Sequence, residues 1–448
     1  MSGISRIRVI GAGLAGCEAA WRIAESGVQA DLYEMKPAKR TPAQSGDGFA
    51  ELVCSNSLKA ERLESAAGLL KEEMRRLGSL LMPCADRCRV PAGGALAVDR
   101  HLFSNLVTEK IRSHPRIRIH AEEVAEIPED GITVIATGPL TSDALAAKIS
   151  ERCGGCLSFY DAAAPIVTAE SLDRSRVFAA SRYDKGGDSA YLNCPMNREE
   201  YERFYAALIS AERAPLHGFD AAGPEVYEGC MPVEVMAGRG ADTLRFGPMK
   251  PVGLRDPRTG HRPWAVVQLR REDADGTRYN LVGFQTNLKF GEQKRVFGMI
   301  PGLAQAEFVR YGVMHRNTFL NSPLLLAADF SMKSAPNLFF AGQITGVEGY
   351  MESAASGILA GINAVRRLRG EPAAVLPAAT MTGALSRYVA EGGEGPFQPM
   401  GANFGILPPL DPPVRDKRER YAALSRRALA ELEEARDEGN ERNGDAEK

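Results

Sequence analysis

The sequence carries no excess of charge of either sign, no long apolar run and no internal repeat. Each absence removes a class of explanation. Lys and Arg number 55 against 57 Asp and Glu, so bulk electrostatics argue against nucleic-acid binding. The basic residues are nonetheless clustered, in KPAKR (36–40), MKPVGLRDPRTGHR (249–262) and VRRLRG (365–370), so a local basic face stays open. No stretch approaches the roughly 20 apolar residues of a membrane span. The opening MSGISRIRVIGAGLAG also lacks the apolar centre of a secretory signal, and the expected location is the cytoplasm. Cysteine is sparse, eight in 448 residues, and in such a chain reads as reduced thiol. The close pairs Cys84/Cys88 and Cys153/Cys156 would have to meet in space to hold a metal, and nothing in the sequence requires it; no metal site is expected.

What is present begins with a β-prone run, Ile7 to Ile10, that passes directly into Gly11-Ala12-Gly13-Leu14-Ala15-Gly16. An alanine-rich helical pattern follows, then a strand-like run from Val28 to Tyr33 that ends on Glu34. Strand, glycine turn, helix, strand and acid in this order form a dinucleotide-binding unit. Gly11 serves the tight turn, Gly13 lets backbone approach a diphosphate, and Gly16 lets helix pack on strand. Glu34 is placed to accept hydrogen bonds from the adenosine ribose.

Two later segments favour FAD over NAD. ITVIATGPL (132–140) reads as a strand turning at Gly138 beneath the dinucleotide. NLFFAGQ (337–343) is a short strand that stops at Gly342-Gln343, and the small-residue helix after it, which carries Glu352, is expected to point its N-terminus at the flavin. The expected fold class is α/β: a discontinuous Rossmann-like FAD-binding domain with an inserted mixed α/β domain and a charged helical C-terminal tail. Its parts are 1–154 and 326–412 for the FAD-binding domain, 155–325 for the insertion, and 413–448 for a charged helix ending in a disordered tail. Within the insertion, WAVVQLRR (264–271) and RYNLVGFQ (278–285) flank a hairpin turn, and NREEYERFYAALISAE (197–212) reads as a helix.

Two cysteines sit in constrained settings, Cys54 in ELVCSNSL (51–58) and Cys230 in YEGCMPVEVM (227–236). A thiol near its ordinary pKa is only a few per cent ionised at neutral pH, so a reactive cysteine needs a base, a cation or a helix N-terminus beside it. By residue type alone each of them is more readily a core thiol than a catalytic one.

The wording of several blocks is more specific. GCMPVEVMAGRGADTLRFGPMKPVGL (229–254), NLVGFQTNLKFGEQKRVFGMIPGL (280–303), FVRYGVMHRNTFLNSP (308–323) and FAGQITGVEGYMESAASG (340–357), with GAGLAGCEAA (11–20) and ELVCSNSLK (51–59), resemble the folate- and FAD-dependent tRNA (uracil-5-)-methyltransferases. The resemblance runs to about residue 390 and leaves the charged tail outside it. It implies methylation of C5 of a T-loop uridine in tRNA. Methylenetetrahydrofolate is the one-carbon donor, reduced FAD the carrier and reductant, and NADH or NADPH the source of electrons. Uracil C5 reacts only after a nucleophile adds at C6, and the C5 proton must later be removed. Cys230 is assigned as the nucleophile and Cys54 as the general base, with the reverse assignment open. His315-Arg316-Asn317 offer further folate or flavin contacts. The same chemistry on ribosomal RNA and a small-molecule FAD-dependent oxidoreductase are the alternatives.

Overall fold

The computed structural model describes residues 6–41, 44, 46–139, 141–155, 157–184, 190–214, 231–393 and 395–446. Strand β1 (Arg6–Ile10), helix α1 (Leu14–Glu25) and β2 (Gln29–Tyr33) open the chain, with β1 and β2 parallel from Arg6↔Gln29 to Ile10↔Tyr33. Next come β3 (Ser57–Ala60), α2 (Ala66–Arg76), α3 (Leu81–Arg87), β4 (Arg89–Val90) and β5 (Ala95–Val98), whose strands form a small antiparallel sheet. Helix α4 (Arg100–Ser113) starts at Asp99, which accepts the N–H groups of His101 and Leu102, and is followed by β6 (Ile117–His120), β7 (Ile132–Ile135) and α5 (Asp143–Cys153).

The inserted region holds β8 (Leu157–Ala162), β9 (Ile166–Thr168), β10 (Phe178–Ala179), β11 (Tyr191–Met196), α6 (Arg198–Ile209), α7 (Val233–Ala237) and α8 (Thr243–Phe246). It continues with β12 (Ala265–Arg271), β13 (Arg278–Leu281), α9 (Phe290–Phe297) and β14 (Phe308–Arg310). Its antiparallel sheet runs β10-β11-β12-β13-β9-β14 over a core separate from that of the first domain. Asn197 and Glu200 close a reciprocal capping box on α6, the signal that NREE carries in the sequence.

Strand β15 (Met314–Phe319) returns antiparallel to β8, so these two strands carry the chain out of the first domain and back. The remaining elements are α10 (Ser322–Leu325), β16 (Ser331–Met332), β17 (Ala335–Phe340), α11 (Tyr350–Arg369), α12 (Met381–Glu391) and α13 (Lys417–Ala446). Strand β17 lies parallel to β7, which completes a sheet of order β16-β17-β7-β1-β2-β6 from both ends of the chain. Helices α1 and α11 cross at backbone distance. A Cβ on Gly357 would fall 2.2 Å from the Ala15 carbonyl oxygen, and one on Gly361 would fall 2.7 Å from that of Ala19. The fold is thus the FAD-binding α/β type expected.

The tail helix docks Leu424, Ala428 and Leu432 into the first domain's core. Its backbone stays helical to Ala446, past the GNERNGD stretch where composition suggests disorder, since that stretch holds no proline and its two glycines cost only about 1 kcal/mol each. Among the described residues no helix is long and apolar enough to cross a membrane.

Candidate active site

The three glycines after β1 do three different things. Gly11 has φ +98°, and a Cβ there would meet the Ala136 carbonyl oxygen at 2.7 Å. A Cβ on Gly16 would lie 1.8 Å from the Gly11 carbonyl oxygen, so only glycine lets α1 sit this close to the turn. A Cβ on Gly13 would meet nothing within 4 Å, because this residue caps α1 at the edge of open space. That space is a groove lined by Gly11, Gly13, Leu14, Ala15, Glu34, Gly138, Gly342 and Gln343 among others. The first turn of α1 contains no acidic residue, leaving its N–H groups and dipole available to an anion. Ala12 and Gly16 stand behind this lining: Ala12 N–H donates to Glu34 Oε2 at 2.9 Å, and Gly16 packs on Gly11. Glu34 Oε1 accepts the Lys36 N–H at 3.0 Å, which fixes the carboxylate while each oxygen keeps a lone pair for a ribose hydroxyl.

A second cavity adjoins the groove and shares Val53, Pro139, Gln343 and Tyr350 with it. Cys54 lines it, together with Lys59, Gln285, Asn317, Glu348 and Glu352. The N-terminus of α11 faces this space through Gly349, Tyr350, Met351 and Glu352. Glu352, which sequence places at the flavin end of the late helix, lines this cavity. Its Oε1 accepts from Lys59 Nζ at 2.8 Å and from Ala402 N–H at 3.0 Å, while its Oε2 is buried without a hydrogen-bond partner among the described residues. Gln343 holds Glu348 at 2.6 Å on the border of the two spaces. A buried, unsatisfied carboxylate oxygen beside a polar-lined cavity is what a bound group with N–H donors would satisfy.

Both spaces fit a flavin dinucleotide. The groove offers bare backbone at Gly13 and a helix N-terminus for the diphosphate, and the second cavity offers room and polar partners at the far end.

Cys54 is half-buried, its Sγ 3.8 Å from the Ala162 carbonyl oxygen, and its backbone N–H donates to Tyr350 Oη at 2.7 Å. Other thiols are held differently. Burial pushes Cys84 up to about 11 and Cys194 up to about 12, and it also raises Cys17 and Cys88, so these four are packing groups. Cys230 and Cys156 lie outside the described residues, as does everything that would show whether Cys230 faces Cys54. Asn317 reaches the second cavity, whereas the side chains of His315 and Arg316 are not described.

Sequence reasoning missed Tyr350, Asn56 and the arginines Arg100, Arg270 and Arg310, all of which hold the Cys54 segment. One signal was present. In β12 the alternation puts Gln268 and Arg270 on one face of a strand that is buried on both, and buried polar residues in a strand mark contact with something other than its own core.

The model of the family described as "GIDA: Glucose inhibited division protein A" matches residues 6–372. The chain is 61% identical over 432 residues to a Desulfitobacterium hafniense protein named methylenetetrahydrofolate--tRNA-(uracil-5-)-methyltransferase TrmFO, covering 96% of this chain and 98% of that one. It is 60% identical over 427 residues to a Geobacter sulfurreducens protein of the same name, covering 95% and 98%. Among solved structures, Aquifex aeolicus GidA in its form II crystal superposes with a TM-score of 0.67 at 17% identity, covering 97% of this chain and 75% of that one. That last likeness speaks for the fold alone.

Proposed function

The chain belongs to the glucose inhibited division protein A family, and we propose that within it this protein methylates C5 of a uridine in tRNA, taking the carbon from methylenetetrahydrofolate. We place the target in the T loop, assign NADH or NADPH as the reductant of the bound flavin, and locate the reaction in the cytoplasm. One observation carries the reading: the dinucleotide groove adjoins the cavity that Cys54 lines, the two sharing Val53, Pro139, Gln343 and Tyr350. Full-length identity of about 60% to proteins named for this activity supports the choice of substrate.

FAD, when bound and reduced, supplies the carriage of the one-carbon unit and the two electrons that convert methylene to methyl. The rest is the protein's work. Gly13 and the first turn of α1 hold the diphosphate, Glu34 accepts from the ribose, and Gln343 with the start of α11 borders the ring end. A thiolate from Cys230 adds to uracil C6 and makes C5 nucleophilic; Cys54 removes the C5 proton so that the thiolate can leave. The uridine has to leave its stack to enter this cavity.

The test is direct. Protein loaded with FAD is incubated with NADPH or NADH, labelled methylenetetrahydrofolate, and a tRNA transcript or a ribosomal RNA fragment, with no S-adenosylmethionine. Label at C5 of uridine in the tRNA is expected. Folate-independent NAD(P)H oxidation with unlabelled RNA overturns the proposal, and label in the ribosomal fragment alone moves the target.

A further inference from the structure

Residues 52–56 run between the two domains with almost no regular structure, yet three arginines reach them. Arg100 Nη1 donates to the Leu52 carbonyl at 3.0 Å. Arg310 donates through Nη1 to the Val53 carbonyl at 3.0 Å and through Nη2 to that of Cys54 at 2.9 Å. Arg270 donates through Nη2 to Ser55 Oγ at 2.7 Å and through Nε to Asn56 Oδ1 at 2.8 Å. Asn56 in turn donates to the carbonyls of Val98 in the first domain and Arg271 in the inserted one. Two of the three arginines, in β12 and at the end of β14, thus hold the Cys54 segment from the domain to which it does not belong.

Hydrogen bonding alone does not call for this much charge, since neutral amide side chains would satisfy the same carbonyls. Burying a guanidinium costs several kcal/mol unless it is paired. Arg270 is 6% exposed, and burial pulls both it and Arg310 below the ordinary guanidinium range. Among the described residues neither has a carboxylate within 4.0 Å, and Arg310 Nε is buried without a partner. The acid nearest this group, Glu272, makes its 2.6 Å contact with Arg100. Elsewhere around the cavity Lys59 pairs with Glu352, and Glu348 accepts from the neutral amide of Gln343. Burial pushes the Tyr350 hydroxyl up, so it faces the Cys54 backbone as a neutral phenol. Among the described residues, then, three arginines and one acid, Glu272, gather around the Cys54 segment.

We propose that Arg310 and Arg270 are positioning residues for Cys54: from the inserted domain they fix its backbone, and their positive charge favours the ionised form of its thiol. An ionised Cys54 is the form that can accept the uridine C5 proton, so the proposal rests on the reading of Cys54 as the base. It also makes the thiolate depend on the inserted domain being docked, because both cations arrive with that domain.

The experiment follows alkylation of Cys54 by iodoacetamide between pH 5 and pH 10. It uses the protein loaded with oxidised FAD, a phosphine reductant, and peptide mass spectrometry, with the buried Cys17 and Cys194 as internal controls. Wild-type protein is expected to show an inflection below the ordinary thiol value of about 8.5. Arg310→Gln and Arg270→Gln should each raise it by about one pH unit, an approximately tenfold loss of rate at pH 7, with FAD retained. Arg310→Lys should keep most of the wild-type profile. Should either glutamine variant fail to fold, Glu272→Gln tests the same charge without touching an arginine, and it should move the inflection downward. Unchanged inflections in the glutamine variants that keep FAD, or in Glu272→Gln, overturn the proposal. The measurement involves neither RNA nor folate. If the inflections move but no label ever reaches uridine, the methyl-transfer reading fails and the arginine assignment stands.

Discussion

The dinucleotide groove and the Cys54 cavity share four lining residues but are made in different ways. The groove rests on backbone: a glycine turn with φ +98° at Gly11, the N-terminus of α1, and a second glycine turn at Gly138. Its specificity lies in where side chains are absent. The cavity rests on side chains from distant segments, with Tyr350, Arg100, Arg270 and Arg310 converging on five residues of irregular chain. A backbone site is defined by local sequence, whereas a side-chain site requires two domains to dock. The first is therefore of a kind that a whole class of dinucleotide proteins shares, and the second is where we place this chain's own chemistry.

Several substitutions test that division. Cys54→Ala and Cys230→Ala should each lower methyl transfer by about a thousandfold or more while leaving a yellow, FAD-bound protein, read by label transfer and flavin absorbance. Loss of FAD on either change would mean that groove and cavity are one structural unit. Gly16→Val should cost roughly 3 kcal/mol or more, since even its Cβ collides with Gly11, and thermal unfolding should show it. Gly13→Ala should cost about 1 kcal/mol or less, yet weaken FAD binding in a titration, because its Cβ enters the groove and nothing else.

Beneath the cavity, Lys71 is fully buried and donates to the carbonyl of Leu58, and burial lowers it to about 8. The unfolded chain keeps that proton up to about pH 10.4. Between those values the unfolded state binds more protons than the folded one, so stability should rise with pH from about 8 to about 10.4, by on the order of 3 kcal/mol. Lys71→Met should abolish the rise, measured as urea midpoints across that interval. The most local effect is expected for Tyr350→Phe. It strips an acceptor from the N–H groups of Cys54 and Ser55, costs about 1–3 kcal/mol, and should speed hydrogen exchange at those two amides but not along α1.

The turn after β1 was legible because each glycine answers to a steric condition met within a few residues or by the next strand. Strands β7 and β17 could be matched because each is a short apolar run stopping at glycine. Cys54 could be singled out only through the resemblance of whole blocks, since Leu-Val before it and Ser-Asn-Ser after it suit a packed thiol and a reactive one alike. Arg310, in FVRYG, shows nothing in its neighbourhood that assigns it to the Cys54 carbonyl. Glu352 was read as a flavin contact, and its pairing with Lys59 comes from the return of the segment around Gly401 and Ala402 over the start of α11.

By itself, then, the sequence determined the parallel sheet, its glycine turn, the discontinuity of the domain and the family, because strand period, backbone sterics and long matching blocks are properties of contiguous residues. Only the tertiary structure decided which of the described side chains hold the Cys54 segment. A field at one sulfur atom is a sum over groups brought within a few ångströms by the docking of two domains, and no local pattern encodes that sum.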